Sequence, residues 1–173
     1  MKLDDDDFTL FGLPRRHALD RGDLDARWRA LQAEVHPDRF SAQGAAAQRL
    51  AMQWAMRVNE AYRRLKDPLR RGAYLCELAG AEVEAERNTA MPPEFLLEQM
   101  AWREALDEAD GDVPAVEALD AEVAGRERVL LQRLAREIDE TGDARAAAAT
   151  VRALMFVGRF REDIGRRLEA LDA

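Results

Sequence analysis

Apolar positions recur along most of this chain at intervals of three and four residues, the period of one helical face, and the pattern predicts almost nothing but helices. Leu24, Trp28, Leu31 and Val35 fall at spacings of four, three and four. Asp20 carries an N-capping side chain just before them, and Asp23 lies where a first-turn carboxylate favours the helix dipole. That helix must stop at His36, because Pro37 disfavours the helical conformation of the residue before it and offers no amide donor. Ser41 is placed to cap a second, longer helix with a stripe of Leu50, Trp54, Val58, Ala61, Tyr62 and Leu65, ending at Asp67-Pro68. The connection, from His36 to about Gln43, is short, so the two helices form an antiparallel hairpin that buries their facing stripes. Leu10, Phe11 and Leu13 before it, and Leu69, Ala73, Leu75 and Leu78 after it, supply shorter flanking pieces, with Gly80 as terminator.

Residues 81–92, AEVEAERNTAMP, lose the apolar period and read as a linker. A second set of helices follows. One runs from about Pro93 to Ala109 and stops before Gly111. The next, from about Pro114 to Thr141, carries Val116, Leu119, Val123, Leu130, Leu134 and Ile138 and is closed by Gly142. The last, from about Asp143 to Leu171, turns Val151, Leu154, Met155, Ile164, Leu168 and Leu171 inward. The expectation is an all-α protein: an N-terminal helical-hairpin domain over 1–80, a linker over 81–92 and a C-terminal three-helix bundle over 93–173.

Composition narrows the class. Apolar residues make up 47% and charged residues 35% of 173, with 6 Pro and 10 Gly, as in a water-soluble helical protein. No apolar run approaches the roughly 20 residues of a membrane span. The acidic start MKLDDDDF has neither a signal-peptide core nor an Arg-rich transit pattern, so a cytoplasmic location is expected. Cys76 stands alone, which excludes an internal disulfide; with only His17 and His36 beside it, no metal site or cofactor is expected. A single thiol on an apolar helix reads as packing. Charge is uneven: residues 1–80 hold 14 Lys+Arg against 12 Asp+Glu, whereas 81–173 hold 12 against 22. Two such surfaces imply two partners, and the acidic half argues against nucleic acid.

Candidate chemistry concentrates in AEVHPDRFSA, residues 33–42. Taken alone, His36-Pro37-Asp38 is a helix stop whose imidazole suits a helix C-terminus. A general acid–base role for His36 and Asp38 is disfavoured, since neighbouring positions on an exposed tip offer no pocket to orient a substrate. Their setting is more telling. The tripeptide caps a hairpin, follows a helix bearing Arg27 and Arg29, and precedes Arg39-Phe40 and the stretch NEAYRRLKDPLRRGAYL. This combination, with FTLFGLP at residues 8–14, resembles the J domain, which activates ATP hydrolysis by chaperones of the 70-kDa heat-shock class. DDFTLFGLP, LQAEVHPDRF, NEAYRRLKDPLRRGAYL, EFLLEQMAWREALDE and TVRALMF together resemble one branch, the HscB co-chaperones of iron–sulfur cluster assembly. The resemblance implies a J domain that docks on an HscA-type chaperone through His36, Pro37, Asp38, Arg39, Arg27 and Arg29, the aspartate engaging a chaperone arginine. Arg39 stands where lysine is frequent; the charge is kept. It also implies a bundle that carries the scaffold protein IscU.

The helix expected from Pro93 has more apolar directions than one core contact uses. Phe95, Trp102 and Leu106 share one side, while Leu96, Leu97 and Met100 point elsewhere, and Glu104 and Glu108 continue the line of Leu96 and Met100. Phe156 points away from the stripe of Val151, Leu154 and Met155, so partial exposure is expected. An apolar patch bordered by acids is the form of a protein-binding surface. The family's scaffold-binding positions align with Leu96, Leu97, Met100, Glu104, Glu108 and Phe156, and Ala101 replaces an acidic residue of some relatives. The implied protein is thus a co-chaperone rather than an enzyme. A J-protein serving another client and a helical adaptor without chaperone activity stay open as alternatives.

Overall fold

The computed structural model of the chain describes residues 2–172, which are mostly helical and contain no strand. They form two compact units, one ending at Leu75 and the other beginning at Cys76. The division lies inside a helix and five residues before the expected boundary at 80.

In the first unit, α1 (Asp7–Phe11) is capped by Asp6, whose carboxylate accepts the amides of Phe8 and Thr9, and it ends at Gly12 with φ 64°. Arg27 on α2 (Arg21–Val35) donates to the carbonyls of Phe11 and Gly12 at 3.1 Å each. Glycine suits that position because the left-handed turn disfavours a side chain, and a Cβ would crowd the Arg27 guanidinium at 3.1 Å. Asp20 caps α2 by accepting the Asp23 amide at 2.6 Å. After α2, residues Pro37–Gln43 make a 3-10 helix, and α3 (Ala45–Lys66) follows. The helix α4 (Pro68–Leu78) begins directly after Asp67, whose carboxylate accepts the amides of Leu69 and Arg70.

Phe8, Leu24, Val58 and Leu65 are completely enclosed in this unit. The seam between α2 and α3 is mixed in character. Trp28 stacks on Tyr62 with centroids 4.6 Å apart, Trp28 and Gln32 both donate to the Asn59 side-chain oxygen, and the Tyr62 hydroxyl donates to Asp25 at 2.8 Å. Trp28, Trp54 and Tyr62, expected in the core, are half-buried, and the polar tips of Trp28 and Tyr62 are bonded along the seam. Asp7 is wholly buried and lies 2.7 Å from Arg57 and 3.0 Å from Arg64, an ionic clasp of α1 on α3.

Two expectations fail here. Ser41 does not cap α3: it sits within the 3-10 helix and donates to the Asp38 carbonyl, and Gly44 at φ 93° occupies the cap. Leu50 is exposed and Ala51 takes the buried place, because α3 starts three residues later than a Ser41 cap implies and presents its first turns differently.

The second unit is a three-helix bundle of α5 (Pro93–Glu108), α6 (Val113–Asp139) and α7 (Ala144–Asp172). Val116, Val123, Leu130 and Leu134 of α6 and Val151, Leu154, Val157 and Ile164 of α7 form its centre. Met155, Leu168 and Ile138 are only half-buried, and Leu171, expected inward, is exposed in the last turn of α7. The expected linker has no helix, yet Val83 and Pro92 are buried, and the enclosed Arg152 of α7 donates to the carbonyls of Val83 (3.0 Å) and Ala90 (2.5 Å). A buried guanidinium requires acceptors, and this segment's backbone provides them. Residues 81–92 are thus strapped to the bundle. Cys76 is buried, and its thiol is pushed up to about 11, first by desolvation and then by Glu137.

Candidate partner-binding surfaces

The turn after α2 is set by Pro37. His36 takes φ −60° and ψ 126°, the extended conformation demanded before proline, and so ends the helix and starts the 3-10 turn at once. The Asp38 amide donates to His36 Nδ1 at 3.3 Å, fixing the ring, and the Asp38 carboxylate stands 3.5 Å from the same nitrogen. The imidazole is 56% and the carboxylate 90% exposed, so both face solvent from a rigid corner. Arg39 reaches back to the Ala33 carbonyl at 3.0 Å, capping the end of α2. Arg29 is exposed two turns before His36, on the same side of the helix, and has no hydrogen bond among the described residues. Arg27 is occupied by Asp23 and by the α1 carbonyls. Of the three arginines expected to meet a partner, Arg39 also holds the corner, and Arg27 ties α2 to the end of α1.

On α5 the direction of each side chain follows from four packed rings. Phe95 and Trp102 of α5 and Phe156 and Phe160 of α7 close a ring of four aromatic contacts at 5.8–6.1 Å. With Phe95, Trp102 and Leu106 inward, Leu96 (52%), Leu97 (73%) and Met100 (62%) are turned to solvent, and Glu104 and Glu108 are exposed further along the helix. Phe156 is half-buried: one side joins the aromatic set while the Arg103 guanidinium lies 5.6 Å from its ring centre. Leu96, Leu97 and Met100 thus form an apolar strip on a helix whose outward side ends in acids. Arg103 and Phe160 are additions to the residues expected from the sequence. Phe160 follows Phe156 by one turn, a spacing that could have marked it; nothing short of the fold pairs Arg103 with Phe156. Among the described residues no cluster of His, Cys, Asp and Glu is arranged for a metal ion, and no helix is long and apolar enough to cross a membrane.

Across 99% of its length the chain is 49% identical to a co-chaperone protein HscB homolog of Burkholderia multivorans, and it covers 99% of that protein. The chain belongs to the HscB co-chaperone family. A family model described as the HSCB C-terminal oligomerisation domain matches residues 91–165. The solved chaperone HscB of Vibrio cholerae superposes with a TM-score of 0.81 at 35% identity, covering 96% of this chain and 99% of the other. The human co-chaperone protein HscB superposes with a TM-score of 0.86 at 27% identity, covering 96% and 84%. The HscB architecture, an N-terminal J domain and a C-terminal helical domain, is therefore the architecture of this chain. The His36-Pro37-Asp38 corner lies in the J domain, and the α5 strip lies in the matched C-terminal domain.

Proposed function

We propose that this HscB-family chain is a cytoplasmic co-chaperone that stimulates the ATPase of a dedicated HscA-type 70-kDa chaperone and delivers an IscU-type scaffold protein to it, promoting iron–sulfur cluster transfer. The observation that carries the reading is the exposed His36-Pro37-Asp38 corner, stiffened by Pro37 and by the Asp38 amide bond to the ring. A carboxylate so exposed can form a charge-assisted hydrogen bond with a partner arginine without first breaking one of its own. Arg29, with Arg39 and Arg27 behind it, adds positive potential that favours an acidic chaperone surface. The co-chaperone donates no catalytic group. It binds one state of the chaperone better than another, and that difference drives hydrolysis.

Scaffold delivery is assigned to Leu96, Leu97, Met100 and Phe156, with Glu104 and Glu108 at the acidic rim. Apolar area of this kind on one exposed helix is what a partner protein covers. The test is a steady-state ATPase assay with the HscA-type chaperone, with and without the IscU-type scaffold. Stimulation that disappears in His36→Gln supports the activator role; equal stimulation by that variant sinks it. Stimulation without any scaffold binding in calorimetry would instead indicate a J-protein with another client.

A further inference from the structure

Apolar side chains surround α5 in nearly every direction, so burial alone specifies poorly which of them face the bundle. A helix turns by about 100° per residue, and Phe95 and Leu96 are each large enough to fill a core position. Beside the four packed rings, polar contacts mark the observed rotation. Glu94, Glu98 and Trp102, spaced by four along α5, meet Arg133, Arg126 and Glu122, which follow in reverse order on the antiparallel α6, at 2.6, 2.7 and 3.1 Å. The end rung is braced in turn: Arg133 also holds Glu137 at 2.7 Å, and Glu137 accepts the Thr150 hydroxyl of α7 at 2.8 Å.

We propose that this ladder, Glu94–Arg133, Glu98–Arg126 and Trp102–Glu122, consists of positioning residues that select the rotation of α5 and so turn Leu96, Leu97 and Met100 outward for the scaffold; this rests on the docking reading above. Arg126 and Glu98 are only 22% and 32% exposed, so a rotation that separates them leaves two poorly hydrated charges without partners. Partly buried polar pairs of this kind set register where apolar packing is ambiguous. Arg133 stabilises the ionised Glu94 beside it, whose pKa is lowered chiefly by that hydrogen bond.

The experiment measures binding of the IscU-type scaffold to the full-length protein by calorimetry. Arg126→Glu, which sets a like charge against Glu98, is expected to weaken binding about fivefold or more. The exchange Glu98→Arg/Arg126→Glu is expected to return it to within about twofold. ATPase stimulation without scaffold stays at the native level in both. If Arg126→Glu binds like the native protein while Leu97→Ala loses affinity, the ladder proposal is overturned and the docking face stands. If Leu97→Ala also binds normally, the docking reading fails and the proposal with it. Failure of the exchange to restore affinity at native melting temperature overturns the proposal too. Should Arg126→Glu not fold, Arg126→Gln removes the rung without repulsion, and unchanged affinity in that variant is equally decisive against the ladder.

Discussion

The corner at residues 36–38 and the outer side of α5 each present side chains to solvent, but their geometry comes from different sources. At the corner, it is covalent and local: Pro37 dictates the backbone of His36, and the ring and carboxylate are fixed by contacts two residues apart. On α5 it is tertiary: spacing puts Phe95 and Leu96 on different sides of the helix, but the side that is enclosed is held there by rings of α7 and charges of α6. A local device concentrates function in one or two groups, whereas a packed surface spreads it over several. Substitutions should therefore act in an all-or-none manner at the first and in a graded manner at the second.

The sharpest break is His36→Gln. With its ring exposed and outside the core, the change leaves melting temperature and scaffold affinity at native values and removes ATPase stimulation. A variant that retains half the stimulation would show the corner to be no more concentrated than α5.

Next in size is the graded response of the bundle. Leu97→Ala removes area that is already exposed, so stability should stay within about 0.5 kcal/mol while scaffold affinity falls about tenfold, or about 1.4 kcal/mol. Phe156→Ala differs in kind, because it also opens the aromatic set; it should cost roughly 2–3 kcal/mol in denaturant unfolding besides the loss in affinity. The triple variant Leu96→Ala/Leu97→Ala/Phe156→Ala takes these losses together. If the triple variant keeps its fold and still binds the scaffold with native affinity in calorimetry, the outer side of α5 is not where the scaffold sits.

What the sequence revealed divides along the same line. The helix stop, the Asp20 cap, the outward corner and the three-helix bundle follow from proline chemistry, capping and apolar period, which act within a few residues. The burial of Phe95, Trp102 and Leu106, and the exposure of Leu96, Leu97 and Met100, were also legible, because the helix had apolar residues to spare. The misplaced Ser41 cap and the exposed Leu50 share one cause: the 3-10 turn consumes Ser41 and delays α3. The binding of the 81–92 strap by Arg152 has no local signature, since it joins a side chain to carbonyls that only the fold brings near.

Salt should separate the two surfaces by a smaller margin. If Arg29 and Arg39 act on a chaperone through solvent, as proposed, raising ionic strength from about 0.1 M to about 1 M, which shortens the screening length from roughly 10 Å to 3 Å, should lower the association rate severalfold. Scaffold affinity, drawn mostly from Leu96, Leu97, Met100 and Phe156, should change less over the same range. Equal salt dependence in stopped-flow and calorimetric measurements would mean that Glu104 and Glu108, rather than the apolar strip, dominate scaffold binding.

The smallest effect concerns acid, and it concerns only the J domain. Partial burial raises the pKa of the Asp6 carboxyl, but hydrogen bonds from Arg15 and Thr9 outweigh it and bring the group from 3.8 down to about 2. Because the folded value lies below the unfolded one, the unfolded chain binds the proton more readily as pH falls. The contribution of Asp6 is therefore complete above the unfolded value near 3.8 and is lost between there and about 2. Asp6→Asn should lower the stability of the J domain at pH 6, and the gap between variant and native protein should narrow steadily below pH 4. Urea unfolding followed through Trp28 and Trp54, separately from Trp102 in the bundle, provides the measurement. A gap that persists undiminished at pH 2 would show that Asp6 acts at the start of α1 through capping geometry alone, without help from its charge.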